Sequence, residues 1–383
     1  MHTNRELVPH SDRDKKIILI LIVTRPEIIK LFDLYRILKN SEEFYPVLVN
    51  TAQQKISSDI LDHIGLQSDI VADEIPNRST DINQFVSHTL DQLNRMFADD
   101  SQITKKDIAG VFVQGDTTSA YCGAMWSFFN EIPVFHIEAG LRSFDHKNPF
   151  PEELIRESIS RLASINFCPT NISYQNLINE GIKDSKCFIV GNTINDAIIT
   201  LLNENKIKEA NHDNKFILST LHRRENWDNV SSYASILNNV VATGNDADVI
   251  HLMHPNPLVK DSFHKGLNGE MKDNLIIREP IHDYFEMLGY VKNSHSILTD
   301  SGGLQEESLF FNVPCGILRK VTERPEVLDH NAKLLEFNND NVHEFLEYSK
   351  SYKEKINGEY NYTYGTGNTS SLIYEELKRF YNI

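Results

Sequence analysis

The sequence predicts an α/β protein with two doubly wound, Rossmann-like domains. Short apolar segments alternate with amphipathic ones, which is the pattern of buried parallel strands joined by helices. This alternation is interrupted by a polar stretch at 203–215 and then starts again. The length of 383 residues also suits two domains, at roughly 100 to 200 residues per domain.

The first half contains six predicted strands and four predicted helices, assigned from apolar runs and from helical spacing. We predict strands at 17–23, 45–50, 110–114, 134–137, 165–168 and 187–190, and helices at 27–39, 81–97, 118–129 and 152–163. This half forms the predicted N-terminal domain, 17–195, which follows a polar extension at 1–16 that we expect to be flexible.

The second half repeats the pattern with five apolar segments. We predict strands at 216–220, 249–253, 275–277, 296–299 and 315–318. The boundary lies within 192–214, and we place the C-terminal domain at 196–369.

Composition excludes several classes of function. The chain carries 54 acidic and 38 basic residues, a formal net charge of -16, so we expect no partner that is a nucleic acid or an anionic membrane surface. The longest apolar run, 17–23, is too short for a membrane helix, and the polar N-terminus lacks an apolar signal core, so we predict a cytoplasmic protein. The four cysteines are far apart in sequence and form no CxxC pair, which favours reduced thiols over zinc ligands or disulfides.

Polar residues follow the predicted strands in both halves. Parallel sheets bind ligands beyond the carboxyl ends of their strands, so Arg25, Asp116 and Glu138 should converge on one edge. In the second half, the segments 220–226, 253–257 and 299–303 follow strands in the same way. We expect the two edges to face each other across a cleft.

The two halves carry different chemistry. Ser301, Gly302 and Gly303 begin a predicted helix, whose free N–H groups and dipole attract phosphate. Additional positive charge there would come from His222, Arg223, Arg224 and Arg324. The first half supplies carboxylates suited to acid/base work, namely Asp116, Glu138, Glu152 and Glu153.

Each of these residues also has a structural interpretation. The two glycines could form a plain strand-to-helix turn, Asp116 could cap a helix, and Glu138 could pair with Arg142. Glu152 and Glu153 lie in a helix's first turn, where acidic residues are favoured by the helix dipole, and His254 could be an ordinary loop residue. The placement of all of them at strand ends favours a site. No Walker A loop, GxGxxG or HExxH motif is present, which argues against the usual NAD site.

Taken together, the motifs resemble those of the UDP-N-acetylglucosamine 2-epimerases of the non-hydrolysing bacterial type. The motifs are VTRPE, TAQ, GDTTS, HIEAGLRS, PFPEE, GNT, HRREN, HPNP, TDSGGLQEE, TERPE and YGTGN, and they span 17–383. The resemblance implies a GT-B-like fold whose C-terminal helix, 370–383, packs back on the first domain. It implies interconversion of UDP-GlcNAc and UDP-ManNAc for surface polysaccharide precursors, without a cofactor or essential metal, and we expect a homodimer.

The resemblance also assigns residues to the reaction, in which UDP leaves to give a glycal and then returns. The implied catalytic residues are Asp116, Glu138, Glu152 and His222, with the acid and the base unassigned. The implied UDP-sugar contacts, to which His222 also belongs, are Arg25, Lys30, Arg156, His254, Ser301, Gly302, Gly303, Glu307 and Arg324, with Glu307 accepting the ribose hydroxyls.

Departures from the family's motifs keep other functions open. Val23 replaces a glycine, Ile155 a polar residue, and Ser160 and Ser164 aspartates; 328–330 and Met287 also differ. A hydrolysing epimerase that releases N-acetylmannosamine, or an impaired UDP-sugar binder, is therefore an alternative, and a GT-B glycosyltransferase competes at the level of fold. Gln54 and Ser57 replace the His and Met of a regulatory motif, which predicts activity without UDP-GlcNAc as activator.

Overall fold

The computed structural model describes residues 7–22, 25–51, 66–73, 81–242, 247–356 and 358–383, with Arg25 and Pro26 described by their backbone only. The chain divides into two compact bodies. The first comprises Met1–Thr200 with Tyr364–Ile383, and the second comprises Leu201–Thr363.

The first body contains a seven-stranded parallel sheet. Its strands are β1 (Lys16–Ile22), β2 (Phe44–Asn50), β3 (Ile70–Val71), β4 (Ile108–Gln114), β5 (Val134–Ile137), β6 (Ile165–Cys168) and β7 (Cys187–Ile189). The spatial order is β3-β2-β1-β4-β5-β6-β7. The order therefore reverses between β1 and β4, which is where ligands bind in open sheets of this kind.

Helices connect these strands. They are α1 (Arg25–Asn40), α2 (Ile82–Met96), α3 (Thr118–Phe129), α4 (Glu152–Leu162), α5 (Asn171–Asn179) and α6 (Thr193–Asn203). Apolar side chains of α3 and α4 share a core with β1 and β4, for example Ala124, Ile159, Leu19 and Val113. The strands read as continuous apolar runs because the sheet is buried on both faces.

The second body contains a six-stranded parallel sheet. Its strands are β8 (Phe216–Thr220), β9 (Asp248–Leu252), β10 (Leu275–Arg278), β11 (Ser296–Thr299), β12 (Cys315–Ile317) and β13 (Ala332–Leu334), in the order β10-β9-β8-β11-β12-β13. Its helices are α7 (Val230–Ala242), α8 (Pro257–Gly266), α9 (Tyr284–Asn293), α10 (Gly302–Phe310) and α11 (Asn339–Lys355). Here the strand order reverses between β8 and β11.

The predicted fold class of two doubly wound, Rossmann-like sheets is confirmed. Every strand predicted from an apolar run is present, with ends that shift by at most two residues. The sequence did not predict β3 and β13, because these edge strands have only two and three residues, and β13 buries one of its three. Such short, partly exposed segments lack a continuous apolar run.

The C-terminal helix α12 (Thr369–Tyr381) belongs to the first body. The rings of Phe44 and Tyr374 contact each other edge to face at 6.1 Å, and the rings of Phe135 and Phe380 at 5.3 Å. The Tyr381 hydroxyl donates to the carbonyl of Ala109. The last helix of the chain thus closes one face of the first sheet.

The N-terminal segment differs from the expected flexible extension. Within 7–15, Leu7 and Val8 pack against the core of the first body. The Leu7 N–H donates to Gln102 Oε1 at 2.9 Å, and its carbonyl accepts from the Tyr45 hydroxyl at 3.1 Å. The reason is that these two residues are apolar within an otherwise polar segment, and burying them stabilises the fold.

All four cysteines are buried free thiols, as predicted. Among the helices of the described residues, none is long and apolar enough to cross a membrane.

Candidate functional site

Glu138 lies immediately after β5, where the sequence predicts a carboxylate at the edge of the sheet. Its φ of +64°, rare for a residue other than glycine, turns the chain sharply at the end of the strand. The carboxylate is buried, and its Oε2 accepts from Lys30 Nζ of α1 at 2.7 Å and from the side-chain amide of Gln114. An ammonium and an amide donor at one oxygen both favour the ionised carboxylate.

Asp116 follows β4, the strand next to β5, and is held by Arg156 of α4. Arg156 Nε donates to Asp116 Oδ2 at 3.0 Å, and Nη2 contacts the same oxygen. On its other side, Arg156 Nη1 donates to Glu153 Oε2 at 2.9 Å. The helix cap proposed as an alternative for Asp116 is wrong, because Thr117 caps α3. Asp116 is therefore positioned by Arg156, which is itself held in place by Glu153.

Glu152 and Glu153 have different surroundings, although the sequence grouped them. Glu153 is fully buried, and its carboxylate accepts from the N–H groups of Ser143 and Phe144 at 2.8 to 3.0 Å. Glu153 thus fixes the loop that follows β5. Glu152 is half-buried and lies one helical turn before Arg156, on the same side of α4.

Two of the positions at which the sequence departs from the family's motifs lie beneath the carboxyl edge of the first sheet. Ile155 belongs to the hydrophobic core of the first body. Ser160 is buried; its hydroxyl donates to the Arg156 carbonyl at 2.8 Å and lies 3.5 Å from His136 Nδ1. The apolar residue at 155 therefore contributes to packing, while the serine supports α4 and a histidine of β5.

His136 and Arg142 are both buried. His136 lies in β5, and Arg142 lies in the loop that follows β5. His136 Nε2 lies 2.8 Å from the Gly115 carbonyl, and burial lowers the pKa of its imidazole to about 4. A neutral ring with the proton on Nε2 therefore donates to the loop that carries Asp116. The alternative pairing of Glu138 with Arg142 is wrong, since Arg142 binds Glu180 through Nε at 2.7 Å and Nη2 at 2.9 Å.

In the second body, Asp300 anchors the loop that follows β8. Its carboxylate accepts from the N–H groups of His222 at 2.8 Å and Arg223 at 2.9 Å, and from Asn226 Nδ2 at 2.9 Å. The ring of His222 lies 6.1 Å from that of His254, which follows β9. Loss of hydration, and then the proximity of His222, lowers the pKa of His254.

The N-terminus of α10 has the geometry of an anion site. Ser301 caps the helix, with its Oγ accepting from the Leu304 N–H at 3.5 Å. The N–H groups of a helix's first turn lack intrahelical partners and attract negative charge. A Cβ added to Gly303 would meet nothing within 4 Å, so an approaching ligand would meet no side chain there.

Two further residues predicted to bind the UDP-sugar already have protein partners. Glu307 is buried and accepts from the Tyr284 hydroxyl at 2.9 Å. Burial, and then this carboxylate, raises the pKa of Tyr284, so the hydroxyl stays protonated as the donor. Arg324 is not an isolated cation, because its Nε donates to Glu306 Oε1 at 2.6 Å and its Nη1 contacts Glu323.

Four residues named in the sequence predictions are described only in part or lie outside the described residues. Arg25 begins α1, but only its backbone is described, while Val23, Gln54 and Ser57 lie outside the described residues. Within the residues that are described, no three His, Cys, Asp or Glu side chains are grouped so that they could hold a metal ion.

The predicted site residues thus form two groups, one in each body. The first body brings together Lys30, Asp116, Glu138, Glu152 and Arg156 at the carboxyl edge of its sheet. The second brings together His222, His254, Ser301, Gly302, Gly303, Glu307 and Arg324.

A sequence-family model described as UDP-N-acetylglucosamine 2-epimerase matches residues 36–378, most of the chain. The chain belongs to the UDP-N-acetylglucosamine 2-epimerase family. Curated relatives of this name include proteins of Methanococcus maripaludis, 37% identical over 92% of this chain and 96% of the relative, and of Escherichia coli, 32% identical over 94% and 98%. The chain is therefore an enzyme of an isomerase family.

Solved structures of family members agree with this assignment. The UDP-GlcNAc 2-epimerase of Neisseria meningitidis, solved bound to UDP-GlcNAc, has a TM-score of 0.85 at 28% identity, covering 95% of this chain and 100% of its own. The enzyme of Methanocaldococcus jannaschii, in complex with UDP-GlcNAc and UDP, has a TM-score of 0.79 at 30% identity and covers 95% and 99%.

Several residues that support these two groups were not singled out from the sequence. Gln114 ends β4, directly before the GDTTS motif, and Asp300 lies within TDSGGLQEE; their polar character at a strand's end was a usable signal. Glu306 and Glu323 also lie in quoted motifs. Glu323 directly precedes Arg324, whereas the contact of Glu306 with Arg324 joins segments 18 residues apart, which no local pattern identifies.

Proposed function

We propose that the chain interconverts UDP-GlcNAc and UDP-ManNAc without hydrolysis. The observation that carries this proposal is the pair Asp116 and Glu138 at the ends of adjacent strands, each held by a cation, Arg156 and Lys30. Family membership supplies the substrate class, since relatives are solved with UDP-GlcNAc bound.

Inversion at carbon 2 is difficult because no neighbouring carbonyl acidifies its hydrogen. In the proposed route, one carboxylate takes the proton from carbon 2 while the bond between carbon 1 and the UDP oxygen breaks. The electron pair of the C–H bond forms the double bond of a glycal, and UDP leaves with the pair of the C–O bond. UDP then adds back to carbon 1, and carbon 2 receives a proton on its opposite face.

The two groups of residues suit the two ends of this substrate. Carboxylates that can accept or return a proton support reaction at the sugar. The N-terminus of α10 supports binding of the diphosphate, whose negative charge increases as UDP leaves. We propose Asp116, Glu138, Glu152 and His222 as catalytic residues, and as substrate contacts Arg25, Lys30, Arg156, His254, Ser301, Gly302, Gly303, Glu307 and Arg324.

The test is proton NMR of the reaction of UDP-GlcNAc in deuterium oxide. We expect UDP-ManNAc to form, with deuterium at carbon 2 of both epimers and no free sugar. Accumulation of free N-acetylmannosamine with UDP would show a hydrolysing enzyme, and UDP binding without exchange would show an impaired binder. Glu138→Gln should abolish the exchange, whereas Glu157→Gln, which changes a carboxylate paired with His146 on the same helix as Glu152, should leave it intact.

The resemblance of the motifs also supports a homodimer and a role in supplying surface polysaccharide precursors. Sedimentation equilibrium measures the mass of the particle, and a mass of one chain would contradict the dimer. Loss of the surface polysaccharide on deletion of the gene would support the biosynthetic role, and unchanged polysaccharide would contradict it.

A further inference from the structure

Four charged side chains of the second body form an alternating chain, here called the charge ladder: Arg319, Glu323, Arg324 and Glu306. Arg319 Nη2 lies 2.8 Å from Glu323 Oε2, Glu323 Oε1 contacts Arg324 Nη1, and Arg324 Nε lies 2.6 Å from Glu306 Oε1. Their side chains are between 0% and 10% exposed. Burial is costly for a single charge, and the pairing of opposite charges along the ladder offsets part of that cost.

The ladder reaches the N-terminus of α10 through Arg324. A Cβ on Gly302 would lie 2.9 Å from Arg324 Nη1 and 3.2 Å from Glu323 Oε1, so the guanidinium lies against the helix's first turn. A helix N-terminus carries partial positive charge and does not by itself favour a cation there. The two carboxylates that flank Arg324 offset this repulsion and hold the guanidinium in one orientation.

Glu323 is the carboxylate that the surrounding arginines share. Besides Arg319 and Arg324, Arg223 Nη2 lies 3.9 Å from Glu323 Oε1. Arg223 is also held by the loop, because its Nε donates to the Asp300 carbonyl at 3.0 Å. Three arginines, from two segments of the chain, therefore converge on one buried side chain beside the helix N-terminus.

We propose that Glu323 is a positioning residue, which acts through Arg324 to orient its guanidinium toward the diphosphate of the substrate. The inference rests on the proposed function, since it requires that a diphosphate binds at α10. If Glu323 orients Arg324, loss of the Glu323 carboxylate should weaken UDP binding. Simple electrostatics predicts the opposite result. A negative charge near an anion repels it, so removing the charge should strengthen UDP binding if Glu323 only neutralises arginines.

The experiment compares the wild type with Glu323→Gln, Arg324→Ala and the double variant. UDP binding is measured by calorimetry, and binding of uridine, which lacks the phosphates, by ligand-observed NMR. The matched control is Glu225→Gln, which removes an exposed carboxylate 3.5 Å from Arg223 outside the ladder. Circular dichroism melts establish that each variant is folded. If Glu323→Gln does not fold, Arg319→Met, which removes the brace on the other side of Glu323, takes its place.

We expect Glu323→Gln to weaken UDP binding roughly 10-fold, the effect of a lost charge-assisted hydrogen bond. Uridine binding should be unchanged, the double variant should bind UDP as Arg324→Ala does, and Glu225→Gln should match the wild type. Equal or tighter UDP binding, equal weakening for uridine, or effects that multiply in the double variant would each overturn the inference. If the wild type itself did not bind UDP, the proposed function would fail as well.

Discussion

At the scale of single residues, the first site depends on how each carboxylate is held. Glu138 has two donors at one oxygen, and Asp116 has a guanidinium braced by Glu153. Neighbouring cations favour ionised carboxylates. Both carboxylates are therefore held in place by neighbouring cations before any substrate binds.

Replacing Lys30 with Met should lower turnover at least roughly 10-fold, because Glu138 loses a charge-assisted hydrogen bond. The acidic limb of the pH–rate profile should also move to higher pH, since loss of a nearby cation favours the protonated carboxyl group. Lys39→Met, an exposed change on the same helix, is the control. An acidic limb at the wild-type position would contradict this role for Lys30.

Glu152 and Glu153 should respond oppositely to the same substitution. Glu153→Gln should lower the free energy of unfolding by about 1–3 kcal/mol, because its amide cannot accept from all the N–H groups that the carboxylate satisfies. Glu152→Gln should keep that stability but lower turnover about 100-fold or more. Urea unfolding and initial rates on both variants separate the two effects, and equal stability of both variants would refute the distinction.

At the scale of elements, the C-terminal helix is capped by a residue distant in sequence. Asn368, the N-cap of α12, makes no side-chain capping bond. Asp196 of α6 instead accepts from the N–H groups of Thr369 at 3.1 Å and Ser370 at 2.6 Å. A carboxylate at this end also suits the helix dipole.

We therefore expect Asp196→Ala to lower the free energy of unfolding by about 0.5–2 kcal/mol, the usual cost of a lost N-cap. Hydrogen exchange at the first turn of α12 should become faster. The matched control is Asn368→Ala, which removes the local cap residue and should change neither quantity. A larger effect from Asn368 than from Asp196 would show that the helix is capped locally.

At the scale of the whole molecule, each body buries a neutral histidine in a strand of its sheet. Burial lowers the pKa of His136 to about 4 and that of His251 to about 3. His251 accepts from or donates to Ser219 Oγ at 2.9 Å and stacks on Phe263 at 4.4 Å. As the pH is lowered, these rings therefore gain a proton at a higher pH in the unfolded chain than in the folded chain.

This order sets the sign of the pH dependence. From about pH 6.5 to about pH 4 the unfolded chain binds protons that the folded chain does not, so stability falls as the pH is lowered. Each such histidine contributes at most about 1.4 kcal/mol per pH unit. His251→Phe, which preserves the ring stacking, should reduce the slope for the second body.

The measurement is urea unfolding at pH 7, 6 and 5, in a Trp126→Phe background. Trp227 is then the remaining tryptophan of the two in the chain, and it packs against the core of the second body. The exposed change His343→Gln is the control and should keep the wild-type slope. An unchanged slope for His251→Phe would contradict the contribution of buried, neutral His251 to the pH dependence of stability.

The strands, the main helices and the strand-end positions of Asp116, Glu138 and Ser301 were predictable from the sequence. Apolar runs and helical spacing are local properties of the chain, and parallel sheets place the residues after their strands at one edge. The motifs also indicated the family. The site's supporting contacts were not predictable, and the pairing of Glu138 with Arg142 was the wrong choice among nearby charges.

Tertiary structure alone decided those contacts. Arg142 binds Glu180, 38 residues away, and Asp196 caps a helix that starts 173 residues later. Likewise, only the fold separates Glu153, which faces buried backbone N–H groups, from Glu152 beside it. Pairing and burial depend on which distant segments the fold brings together, whereas hydrophobic periodicity depends on neighbours in the chain.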